Sequence, residues 1–157
     1  MVKCGKWLAA IGLALSLSIP AYGGTVLQVL EAAAEAQDTT SSEAFAPIGD
    51  MELAIVVSGS AVAVSFDGDF ILCNESKTAR HVGGAVRLLR NGTEIRKFEW
   101  AFWTQPGKCA AVPGNIFEID VNAPPPGSYY EVEWASIKAV KTSVTVNHRR
   151  LKLVELQ

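Results

Sequence analysis

Histidine is scarce in this chain. His81 and His148 are the only two, and neither has a cysteine or carboxylate at ligand spacing beside it. Tetrahedral zinc wants three or four such groups, so each reads as a solvated or hydrogen-bonded surface residue. Gly-x-Ser-x-Gly elbows and Gly-rich phosphate loops are missing, and no two carboxylates mark a cleft. Asp67-Gly68-Asp69 could offer oxygens to calcium, but that ion takes six to eight ligands, and a hairpin turn accounts for the tripeptide. These absences point away from an enzyme and from any metal or cofactor. Charge is sparse too, at 19% of residues with a net −2. That leaves no basic stripe for nucleic acid and little attraction to an anionic membrane. No apolar run reaches the roughly 20 residues that a comfortable membrane span requires.

The longest apolar run, residues 7–19, lies behind Lys3 and Lys6 and is closed by Pro20, with small residues at Ala21 and Gly23. Basic, apolar and small-residue regions in that order fit a secretory signal peptide cut before Gly24. The other reading is a cytosolic chain with a loose apolar N-terminus. The expected division is a signal-like helix over residues 1–23 and one domain over 24–157. The domain would be periplasmic, secreted or virion-associated, with no stable membrane insertion once the leader is gone. Loss of Lys3 and Lys6 takes the net charge to −4. It also removes Cys4 and leaves Cys73 and Cys109. Such a pair can bridge in an oxidising compartment. Two unrelated buried thiols are the alternative.

The remainder reads mostly as short β segments. Residues 25–30 fit either a helix running into the alanines at 32–34 or a first strand. Leu53, Ile55 and Val57 alternate with other residues, as do Val62, Val64 and Phe66. Asp67-Gly68 then reads as a hairpin turn, and residues 77–81 as a polar connection. Asn91-Gly92 between two alternating runs predicts a type I′ hairpin. On its return strand Phe98, Trp100 and Phe102 share one face, which should pack inward, and Trp103 lies on the other. Pro106-Gly107 and Pro113-Gly114 bracket a loop holding Cys109, and the prolines at 124–126 with Gly127 make a stiff turn. Phe117, Ile119 and Val121 alternate with Glu118 and Asp120, and Tyr130, Val132 and Trp134 with Glu131 and Glu133. Phe98, Trp100, Ile119 and Val132 are therefore expected in one dry interior. Near the end, His148-Arg149-Arg150 breaks the alternation of Val144 and Val146 before Leu151 and Leu153 resume it, which reads as a bulge or tight bend. About eight to ten short strands with regular turn signals predict an all-β, antiparallel β-sandwich of jelly-roll type.

The order of the pieces carries a resemblance. Gly24-Thr25-Val26-Leu27-Gln28-Val29 comes first, then Thr39-Thr40-Ser41-Ser42 and Gly49-Asp50-Met51-Glu52-Leu53. Val86-Arg87-Leu88-Leu89-Arg90-Asn91-Gly92-Thr93-Glu94-Ile95 and Pro126-Gly127-Ser128-Tyr129-Tyr130 follow. The close is Asn147-His148-Arg149-Arg150-Leu151 with Glu155-Leu156. Over residues 24–157 this resembles the small jelly-roll domains at the ends of bacteriophage tail-fibre and related virion proteins, which are similar in shape to tumour-necrosis-factor and complement heads. The resemblance implies a homotrimer about a threefold axis that serves as a structural tip or as a head for a cell-surface receptor or glycan. The leader admits a second reading, an exported accessory sandwich of a periplasmic or surface assembly. A glycan-cleaving enzyme would need two carboxylates across a cleft, whereas Glu99, Glu131 and Glu133 read as outward residues.

Trp103 is out of phase with Trp100, so it is expected at a subunit interface or on a binding surface. Tyr129, Arg149 and Arg150 are further binding candidates, although a charged bend on a solvated edge explains the arginines equally simply. Trp134 is assigned to the core. Asn74-Glu75-Ser76 and Asn91-Gly92-Thr93 match the glycosylation sequon and read as chance matches.

Overall fold

The computed structural model describes residues 25–58, 61–137 and 141–157. The expected leader and its helix lie outside the described residues. Nine strands form the described chain: β1 (Val26–Ala34), β2 (Asp38–Thr40), β3 (Ala46–Ile55), β4 (Ala61–Asn74), β5 (Arg80–Arg90), β6 (Thr93–Thr104), β7 (Cys109–Asp120), β8 (Ser128–Ile137) and β9 (Thr142–Leu156). They make an antiparallel two-sheet sandwich. The five-stranded sheet runs β1-β9-β4-β7, with β2 also on β9, and the four-stranded sheet runs β3-β8-β5-β6. The pairs nest. β5–β6 is innermost in sequence, then β4–β7, β3–β8 and β1–β9.

Period-two burial builds the interior. Val62, Val64, Phe66, Phe70 and Leu72 of β4 are buried, as are Tyr130, Val132 and Trp134 of β8. Residues 26–34 are strand, not helix, because β9 offers β1 a ladder from Val26↔Leu156 to Ala34↔Arg149, broken only by a shift at Leu27. The Asn91-Gly92 turn forms, with φ of 50° and 78°, as a type I′ connection requires. The phase shift around His148 also forms. The β4–β9 register slips between Gly68 and Phe70, opposite Arg149 and Val146. Val146 and Leu151 therefore both point inward across a bulge.

Several local expectations give way. Asp67-Gly68 is not a turn but the middle of β4, with Gly68 opposite Gly114 of β7. The two glycines face the interior and make room for the Phe70 ring. A Cβ on Gly114 would stand 2.4 Å from the Phe70 ring and 2.7 Å from Trp100. Continuous alternation from Val62 to Leu72 outweighs the turn preference of one dipeptide. Pro113-Gly114 likewise sits within β7 and not at the end of a loop, and His81 belongs to β5.

Burial on β6 and β7 departs from expectation as well. Trp100 and Val132 are interior, but Phe98 is 45% exposed and Ile119 47%. Phe98, Trp100 and Phe102 do share a phase, opposite Val86, Gly84 and Val82. Yet β6 is the sheet edge, and only Trp100, packed on Phe70 with ring centroids 4.9 Å apart, is covered. On β7 the phase itself is reversed, so that Ile116 and Asp120 point inward and Phe117 and Ile119 outward.

Candidate interaction surface

The reversal on β7 has a chemical cause. Asp120 is buried, and its Oδ1 accepts from Arg90 Nη1 at 2.6 Å while its Oδ2 accepts from the Tyr130 hydroxyl at 2.8 Å. Burial, and then the hydrogen bond to Asp120, pushes the Tyr130 phenol well above its ordinary pKa. A buried carboxylate needs such partners. Its place opposite Val62 fixes the register in which Val64 meets Glu118, so the side chains between them turn outward.

The outward residues line up across the five-stranded sheet. Val29, Val154, Ala63 and Ile119 form one cross-strand row on β1, β9, β4 and β7. Leu156 pairs with Ala61 in the next row, flanked by exposed Leu27 and Val121. On the other side Glu31, Lys152, Ser65 and Phe117 form a mixed row, with Phe117 63% exposed. Beyond it Ala33, Arg150, Asp67 and Asn115 are level, and Arg150 Nε lies 3.4 Å from Glu31. One end of this face is apolar in every strand of the path, which marks a surface for contact.

The four predicted binding residues do not meet. Trp103 stands on β6, 62% exposed and edge-on to His81 at 5.2 Å. Tyr129 opens β8, where its hydroxyl hydrogen-bonds Glu52 and its N–H donates to Asn91 Oδ1 at 2.9 Å. The bond to Glu52, with burial second, pushes its pKa up to about 12. Arg149 is buried. Its Nε donates to Gly49 O at 3.0 Å and its Nη1 to Ala36 O, so it ties β9 to β3 and to the link between β1 and β2. Arg150 alone belongs to the outer face just described. An open cleft of about 270 Å³ beside it is lined by Asp67, Asp69, His148 and Arg149, among others. Among the described residues no group of three or more His, Cys, Asp or Glu could hold a metal ion. Cys73 and Cys109 are bonded to each other across directly opposed positions of β4 and β7. Asn74 is buried, with its amide donating to Thr78 O and Thr104 O, both at 2.9 Å, so its sequon has a structural use.

Sequence reasoning missed the apolar outer face. A signal existed, because Leu151, Leu153, Val154 and Leu156 are apolar in both phases of one strand, as are Val26, Leu27, Val29 and Leu30. Apolar residues on both sides of a strand are the pattern of sheets buried on both faces, and here the outer side stands exposed.

No protein-family model matches this sequence, and no curated protein matches it. Among solved structures it is similar to the crystal structure of the infectious bursal disease virus T13 particle, at 12% identity over 94% of this chain and 39% of that one, TM-score 0.44. The Gt strain of the same virus gives 13% identity over 96% and 42%, TM-score 0.44. Latent PorU of Porphyromonas gingivalis gives 10% identity over 86% and 14%, TM-score 0.37. The chain thus spans about two fifths of the viral chains it matches.

Proposed function

We propose that this chain is a non-enzymatic structural module that works by associating with further copies of itself, within a virion-like or exported surface assembly. One observation carries the reading. The apolar rows from Val29 to Ile119 and from Leu156 to Ala61 lie on the outside of the sandwich, where a lone domain would place polar residues. The nested pairing supports a jelly-roll assignment, since rolling a nested hairpin produces the β1-β9-β4-β7 path in one layer and the β3-β8-β5-β6 order in the other. It agrees with the tail-fibre-like order of segments. Trp103 and its exposed neighbours on β6 are the remaining candidate for a receptor or glycan contact. Arg149 and Tyr129 are committed to internal hydrogen bonds.

The test is the mass of the purified protein by light scattering across a concentration series. A multiple of the chain mass is expected, with three copies as the arrangement that the resemblance implies. A monomer at every concentration overturns the reading. N-terminal sequencing of the same material tests the leader, with Gly24 as the expected first residue.

A further inference from the structure

We infer that two copies pack face to face through the outer sides of their five-stranded sheets, about a twofold axis running along the strands between β9 and β4. The inference rests on the self-association reading and replaces threefold with twofold pairing. Sheets stacked in this way lie about 10 Å apart and nearly aligned. An axis along the strands keeps each row at its own height and reverses the strand order. β9 then lies over β4 of the second copy, and β1 over its β7.

The side chains fit this operation. Val154 meets Ala63 of the second copy, Leu156 meets Ala61, and Val29 meets Ile119, so large residues oppose small ones at the centre. An axis across the strands at the same height would set Ala61 against Ala63 and leave a gap. Two rows away, Arg150 of each copy meets Asp67 of the other. Between these levels the face carries Glu31 and Lys152, so its charges cancel and two copies do not repel. Four strands by three rows cover roughly 20 Å by 20 Å, side chains included, on the order of 400 Å² of sheet. That is about half of the roughly 800 Å² per partner in a standard interface. The row of Arg150 and Asp67 adds on the order of 100 Å² more, so the contact stays smaller than a standard interface and the dimer should depend on concentration.

The experiment uses sedimentation equilibrium on the full chain, with circular dichroism to confirm folding. The wild type should be a dimer. Ile119→Asp, at an exposed position, should weaken dimerisation by about tenfold or more while folding is kept. Asp67→Arg and Arg150→Asp should each weaken it alone. Mixed together they should restore a one-to-one dimer, because both cross-copy contacts regain opposite charges. Trp103→Asp, on the distant β6 edge, should leave the mass unchanged. A trimer, or an oligomer indifferent to Ile119→Asp and to mixing, overturns the twofold packing and leaves self-association standing. A wild-type monomer overturns both.

Discussion

The two outer faces of this sandwich are made of different chemistry. On the four-stranded sheet Arg87 reaches Glu133 at 2.6 Å and Glu94 at 3.5 Å, and lies over the Phe45 ring at 4.2 Å. Lys97 pairs with Glu99 at 2.5 Å, and Tyr129 with Glu52. That face meets water with its polar groups paired to each other. The five-stranded sheet instead offers rows of Val, Ile, Leu and Ala. Most of the first face is explained by folding, with Trp103 as its exposed exception. The second presents the apolar rows proposed above as the contact for another copy, and the buried Asp120 cluster is what turns β7 to present them.

The largest expected effect comes from breaking that cluster. Asp120→Ala leaves Arg90 and the Tyr130 hydroxyl without their partner, at a cost of about 3–5 kcal/mol, as for other broken buried pairs. Urea unfolding reads it directly. A loss near zero would mean that the register of β7 is fixed by something else. Next in size is Gly114→Ala, which drives a methyl into Phe70 and Trp100 and should cost about 1–3 kcal/mol. Phe117→Ala, three residues on but pointing outward, should shift monomer stability by only about 0.5 kcal/mol. If the two substitutions cost the same, the inside and outside of β7 have been confused.

Most of the sandwich was legible because burial and alternation agree along β4 and β8, and because Asn91-Gly92 marks the β5–β6 hairpin. What was not legible came from edges and from buried charge. Phe98 and Phe102 have the phase of core residues, but nothing in a one-dimensional pattern says that β6 ends its sheet. Asp120 looked like a solvent residue between Ile119 and Val121, since sequence does not reveal that Arg90 and Tyr130 wait inside for it. Arg149 looked exposed beside Arg150, yet the phase shift across the bulge turns it inward together with Leu151 and Leu153. The candidate surface was the least legible part, because cross-strand rows exist only once the register is known.

A smaller effect separates the faces by pH. Glu155, below the apolar end of the five-stranded sheet, accepts from the Ser58 N–H and hydroxyl at 2.8 and 2.9 Å and from Gln28 at 2.8 Å. The backbone bond chiefly, against the opposing effect of burial, holds its pKa below the usual carboxylate value. Its contribution is therefore present above the unfolded pKa, near 4.3, and lost as pH falls through the folded one. Glu131, on the charged face, is pushed up by burial and then by Glu133 and Glu52. Its ionisation opposes folding, so the stability it contributes is present below the unfolded pKa and lost as pH rises through the folded one. Glu155→Gln should lower the urea midpoint at neutral pH by about 1–3 kcal/mol equivalent, and Glu131→Gln should leave it equal or higher. Both differences should shrink in acid. Equal signs for the two variants at neutral pH would remove the electrostatic contrast between the faces.

The smallest effect is expected where the ion pairs are most numerous. Arg87→Met keeps the stem over Phe45 and removes the charge that Glu133 and Glu94 share. Partly exposed pairs of this kind contribute about 0–1 kcal/mol and are screened by salt. The loss should thus be modest in low salt and smaller still in high salt. Self-association should respond in the opposite way, because salt screens Arg150 and Asp67 but strengthens apolar burial when the ions are kosmotropic. Sulfate that stabilises the oligomer while flattening the Arg87→Met difference would show the two faces obeying different forces. Sulfate that dissociates it would mean charge, not the rows around Ala63 and Val154, holds the copies together.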